Sequence, residues 1–255
     1  MFVGLHTVQR AVRYEVLYYT IRHEKEAHFT ATSSELYKRT RNWENLQLAA
    51  FINRAGKYDI PKMLPVLECD VTQWIGFNFA RGTDKDERGE TGLHFYLDDY
   101  QFQRLWADPE RYIPLLSDFA AVMSPDFSIY SDFPTAVKIW NVYRNMWLAC
   151  YWQCYGMTVI PTIMWGAPDT FDYCFDGYPS DSIVSVSTDG SIMSQERSTS
   201  FMTGYNEMLD RLHPSGIIVH GRVLDGMKGN IICQIETMTS QIKGRLKNGI
   251  KQVKE

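Results

Sequence analysis

The sequence predicts an α/β fold. It should hold a mostly parallel sheet of about six to seven strands, an incomplete barrel or an open twisted sheet, with an N-terminal helical extension. Three observations lead there. Beyond about residue 70, short apolar runs alternate with helical stretches, the pattern of β–α units. The runs are nearly continuously apolar, as strands buried on both faces are. The chain, 255 residues with 45% hydrophobic content, is long enough for one α/β domain with a sizeable core.

Residues 1–58 read as the helical extension and 59–255 as the α/β domain. TVQRAVRYEVLYYTIRHEKEA puts Val8, Val12, Val16 and Tyr19 on one stripe. In the following stretch, Ser33 or Ser34 is placed to cap a second helix and Gly56 to end it. KYDIPKMLPV, with two prolines and no periodicity, marks the boundary.

The strands then follow in order: WIGFNFA (74–80), LHFYLDD (93–99), AAVMSPD (120–126), TVIPTIMWG (158–166), SIVSVSTDG (182–190), GIIVHGRV (216–223) and NIICQIE (230–236). Between the first two, GTDKDERGETG is polar and Gly-bounded, and reads as an exposed loop between paired strands. Helices are expected over 100–119, interrupted near Pro109, then from Thr135 to Gly156, over 194–214, and over 237–252. In the second of these, Trp140, Tyr143, Trp147 and Tyr151 share a face and read as core, as do Cys150 and Cys154.

Charge is unevenly placed. Residues 1–58 carry nine Lys/Arg against five Asp/Glu, a balance of +4, and the remainder 17 against 25, or −8. Nucleic acid is thus a partner open to the basic N-terminal helices, although solvated helix faces explain the same balance. Five cysteines with no C-x-x-C pair and no secretory leader point to a reducing, cytoplasmic setting. No run reaches the roughly 20 apolar residues a membrane span needs.

In parallel α/β folds, sites gather beyond the carboxyl ends of the strands. The residues at those ends are Asp98 and Asp99, then Asp126 and Asp132, Trp165, Thr188 and Asp189, and His220 with Arg222. Read as chemistry, Asp99, Asp126 and Asp132 are acid–base groups and His220 is a base near neutral pH. Asp99 and Asp126 are then also oxygen ligands for Mg²⁺ or Mn²⁺, and Trp165, Thr188 and Arg222 are binding groups, Trp165 as a stacking wall. Read as architecture, Asp132 and Asp99 cap the helices they precede, Asp169 and Asp189 hold turns, and His220 is a buried structural histidine. Asp126 stands too far from the next helix to cap it. No P-loop, G-x-G-x-x-G, G-x-S-x-G, H-E-x-x-H or cysteine triplet occurs, which argues against motor NTPases, classical dehydrogenases, serine esterases and zinc proteases.

Eight strings, IGFNFA, GLHFYLDDYQFQRLW, MSPDFSIYSDFP, IWNVYRN, VIPTIMWG, FDYCFDGYP, SIVSVSTDG and IIVHG, resemble in order the domain-of-unknown-function family 4417 over about residues 60–221. The resemblance implies a phage, prophage or mobile-element protein of bacteria and carries no catalytic residues over. Two functions fit. One is a non-catalytic protein that binds a host or phage partner. The alternative is a divalent-metal-dependent hydrolase acting on nucleic acid or nucleotide at an acidic pocket on the carboxyl ends of the strands.

Overall fold

The computed structural model describes Asn45 and residues 52–237. The Val8–Tyr19 stripe, the serine caps, most of the basic extension and the helix expected over 237–252 lie outside the described residues. Gly56, expected to end a helix, sits instead at φ +68° in the turn between β1 (Arg54–Ala55) and β2 (Ile60–Pro61), an antiparallel pair. Glycine reaches that backbone region without a Cβ penalty.

All seven expected strands form. β3 (Gln73–Gly76), β4 (Thr91–His94), β5 (Ala121–Met123) and β6 (Val159–Ile160) make a parallel sheet in chain order. β7 (Ile183–Ser187), β8 (Gly216–His220) and β9 (Ile231–Ile235) make a second parallel sheet, also in chain order. The expectation of one sheet of six to seven strands is therefore corrected: there are sheets of four and three strands and a small antiparallel pair.

The break falls after Ile160 because Pro161 has no N–H to continue the ladder. Past it, a lone parallel bridge joins Thr162 to Ser185. The Ile163 N–H donates to the Ser185 carbonyl at 2.8 Å, and the Ser185 N–H to the Pro161 carbonyl at 2.7 Å.

The stretch 82–92 is also corrected. It carries the short helix α1 (Lys85–Arg88) and crosses over between two parallel strands, which a hairpin loop cannot do. The helix expected over 100–119 is indeed broken at Pro109, into α2 (Gln103–Ala107) and α3 (Ile113–Leu116). α4 (Thr135–Cys154) runs unbroken and stops before Gly156, at φ +81°. α5 (Phe171–Cys174) is one turn. α6 (Gln195–Leu212) begins where the Ser194 hydroxyl accepts the Arg197 N–H at 3.2 Å, a side-chain N-cap.

The strands separate two apolar layers. On one face Leu93, Phe95, Val122, Val159, Val184 and Val219 pack with Trp147 and Trp152 of α4 and Tyr205 and Met208 of α6. On the other, Ala121, Met123, Ile160, Ile183, Ile218 and Ile235 form a smaller cluster with Val66. Of the aromatic face expected on α4, Trp147 and Tyr151 are core, while Trp140 is 37% exposed. Cys150 is buried and Cys154 partly so.

Residues 62–72 cross the amino ends of the strands. The Gln153 amide holds the Leu64 backbone from both sides at 2.9 Å, the Ser182 hydroxyl accepts the Val66 N–H, and the Thr72 N–H reaches Glu90. That end is covered, and the loops that carry the candidate residues leave from the other end. Among the described residues no helix is long and apolar enough to cross a membrane.

Candidate functional site

Two loops meet at the carboxyl end of the four-stranded sheet. The chain leaves β4 through Tyr96 and Leu97 into Asp98 and Asp99, and leaves β5 through Ser124 and Pro125 into Asp126, Phe127 and Ser128. Asp99 joins them. Its carboxylate accepts the Ser128 N–H at 3.1 Å and the Ser128 hydroxyl at 2.9 Å. Asp99 opens a short 3-10 turn without a side-chain bond to it, so it ties a loop rather than capping a helix.

The polar stripe of α4 holds the second loop from behind. Asn145 accepts the Phe127 N–H at 2.8 Å and donates to its carbonyl at 3.2 Å. Asn141 donates to the Ser128 carbonyl and accepts from Arg144, whose guanidinium lies 3.8 Å over the Phe127 ring. Spacing of three and four residues puts Asn141, Arg144 and Asn145 on one side of the helix. Burial lowers the Arg144 pKa to about 10, partly offset by the Asp99 charge. The Asp99 carboxyl group therefore has a guanidinium near it and two donors on it.

Asp126 differs. Its side chain is partly buried, and no hydrogen bond reaches it from another described residue. Burial first, and the Asp99 charge second, push its carboxyl up to about 8. It is a neutral acid at pH 7. The Tyr96 hydroxyl lies within its electrostatic reach and pairs with the Ser185 hydroxyl at 2.6 Å. Tyr178 also feels the Asp126 charge and donates to the Thr162 carbonyl.

His220, at the end of β8, stacks on the Tyr96 ring at 4.5 Å and 17°, with His94 5.2 Å away. Its Nδ1 lies 3.0 Å from the Ser187 hydroxyl. That hydroxyl also accepts the Asp189 N–H at 3.2 Å. Burial lowers the His220 pKa to about 4, with the Asp189 charge opposing, and burial plus the His220 charge lowers His94 to about 3. Both rings are neutral at pH 7. His94 Nδ1 is buried with no hydrogen-bond partner.

The rim thus brings Asp99 and Asp126 together and links His220 to them through Tyr96. The other predicted residues lie elsewhere. Asp132 is exposed, and α4 starts from Pro134 with no side-chain cap, so Asp132 neither joins the pair nor caps the helix. Trp165 is seated on the helix side, 5.1 Å from Phe201 and against Gly204 of α6. Thr188 is buried and donates to the Arg222 carbonyl at 2.8 Å, and the Arg222 side chain is exposed. Asp189 accepts the Gly190 N–H within its turn.

Sequence reading missed His94, Tyr96, Tyr178 and Ser185. One signal was present: in LHFYL, Leu93, Phe95 and Leu97 alternate with His94 and Tyr96, the period of a strand with one polar face. Among the described residues no group of three or more His, Cys, Asp or Glu side chains is placed to hold a metal ion. The two carboxylates named as Mg²⁺ or Mn²⁺ ligands, Asp99 and Asp126, are together, but without a third protein group.

Comparison with known proteins adds context. The chain is 36% identical over 196 residues to the Gene 1 protein of Mycobacterium phage D29, covering 75% of this chain and 72% of that protein. It is 35% identical over 198 residues to the Gene 1 protein of Mycobacterium phage L5, covering 77% and 85%. No solved structure matches it significantly. It is a phage-associated protein. A family model matches residues 52–237, which takes in the strands, the carboxyl pair and the α4 clamp, and the chain belongs to that family, described as Domain of unknown function (DUF4417).

Proposed function

We propose that this phage protein is an acid–base enzyme of the hydrolytic kind, with its reacting groups on the rim after β4 and β5. Asp126 is the proton donor and Asp99 the fixed anion beside it. One observation carries the reading: two neighbouring carboxyls sit in different surroundings, and those of Asp126 raise its pKa. Asp99 is held by Ser128 and stands beside Arg144, while Asp126 is partly buried, accepts nothing and is raised to about 8. A pair split this way has its acid and its anion assigned by environment. A general acid works best with a pKa near the working pH. The metal-dependent form of the reading has less support, since the Asp99 oxygens are occupied by Ser128 and a cation there would face the Arg144 guanidinium.

The test is a carboxyl-carbon NMR titration of the protein, with Asp126→Asn to assign the signal. The reading expects the Asp126 resonance to titrate near pH 8. Titration near pH 4 ends it.

A second reading, a non-catalytic protein docking on a host or phage partner, is supported by Leu64 and Leu67. These stand 56% and 66% exposed in the segment that crosses the amino ends of the strands. Exposed leucines three residues apart on one segment are candidates for a protein contact where they form a common patch.

A further inference from the structure

Tyr100 follows Asp99 and is 77% exposed; Tyr130 stands two residues after Ser128 and is 62% exposed. The Asp99–Ser128 contact fixes the two loops together, so both tyrosines follow closely in the chain from residues that meet at the pair. Among ring contacts between described residues, Tyr130 meets the edge of Phe133, at 5.3 Å, and none occupies Tyr100. Two large aromatic faces turned to water beside a polar site are the equipment of a stacking platform.

Two cations stand on the same rim. Arg81 follows β3, and Arg104 lies on α2, next to Gln103, which Arg144 binds at 2.9 Å. Both guanidiniums rest over the ring of Tyr112, at 5.9 and 5.8 Å, and Arg104 also lies 4.9 Å from the Phe77 centroid. Neither makes a salt bridge to a described carboxylate. Resting on aromatic rings holds a guanidinium plane in place while its N–H fork stays open to an oxyanion. The rim is also less acidic than its residues suggest, because Asp126 is neutral and Arg144 stands beside Asp99.

We propose that this rim binds single-stranded nucleic acid, with Tyr100 and Tyr130 stacking unpaired bases and Arg81 and Arg104 contacting phosphates. Aromatic platforms beside cations are how single strands are held without sequence preference, and a duplex keeps its base faces hidden. The proposal deepens the acid–base reading by naming its substrate class, and rests on that reading only for placing chemistry on this rim.

The experiment is fluorescence anisotropy of a fluorescein-labelled oligothymidylate with the full chain, at low salt and again with added salt. Saturable binding that weakens with salt is expected, with a blunt duplex bound less tightly. Tyr100→Ala/Tyr130→Ala should weaken binding about tenfold or more. Arg81→Gln/Arg104→Gln should weaken it and lower the salt slope by about 1.4. All four side chains are at the surface, and circular dichroism checks that each variant folds. Absence of saturable binding overturns the proposal. So does binding that both double variants retain at wild-type strength, which would place the strand elsewhere on the chain, the basic N-terminal stretch included. If Asp126 titrates near 8 and no oligonucleotide binds, the acid–base reading stands and this one falls; binding with Asp126 titrating near 4 is the reverse.

Discussion

The two faces of β4 do different work. Leu93 and Phe95 point to the helices, where Phe95 stacks on Trp152 at 5.5 Å inside a layer of fully buried rings. His94 and Tyr96 point the other way, into a layer of imidazoles and hydroxyls that leads to the carboxyl pair. A strand's alternation separates these duties at no extra length. One face contributes hydrophobic burial, and the other gives some of it up for groups whose burial costs stability. The lesson concerns energy as much as place: substitutions on the helix face should destabilise, and some on the polar face should do the reverse.

The largest expected effect lies on the helix face. Trp152→Ala should lose about 3–5 kcal/mol in urea unfolding, since the ring is fully buried. The contrast fails if the loss is under about 1 kcal/mol. Next is Gly204→Ala. A Cβ there would fall 2.0 Å from the Trp165 ring, which has no free end to swing away, so about 1–3 kcal/mol of overpacking strain is expected in the same assay. An unchanged midpoint would mean that Trp165 is free to leave α6.

On the polar face the sign depends on pH. Asp126 binds its proton more tightly when folded, near 8, than its ordinary value of 3.8. The folded state therefore holds more protons between those values, and stability falls as pH rises through that window. His94 and His220 go the other way: folded values of about 3 and 4 against an ordinary 6.5 make stability fall as pH drops below 6.5. Of these three groups only Asp126 titrates between pH 6.5 and 8. There the wild type should lose up to about 1.4 kcal/mol per pH unit relative to Asp126→Asn. Parallel curves for the two proteins across that range would sink the assignment. The smallest effect is Asp132→Asn, exposed and without a cap to lose, which should stay within about 0.5 kcal/mol by thermal melting. A larger loss would restore the capping role.

What the sequence made legible follows from the same contrast. The strands were readable because buried apolar runs bounded by turns leave few alternatives, and Asp99, Asp126 and His220 were singled out by their position at strand ends. The sheet count was not, because Pro161 ends a ladder without ending the apolar run around it. Asp132 and Trp165 share the strand-end position of the others, but which way each side chain turns is decided by α4 and α6, from a distance in sequence. His94 and Tyr96 were overlooked because an aromatic strand with alternate polar rings passes for one that is apolar throughout.

The lone rung between Thr162 and Ser185 has its own consequence. It makes the boundary between the four-stranded and three-stranded sheets the weakest line in the backbone hydrogen-bond pattern, stitched by Tyr96 to Ser185 and by Tyr178 to the Thr162 carbonyl. Partial unfolding in proteins follows such lines and releases contiguous cooperative units. In hydrogen exchange, the amides of Ile163 and Ser185 should open before those of Val122 in the four-stranded sheet and Val219 in the three-stranded one, with the molecule coming apart as two halves along a seam that passes beside its own candidate site.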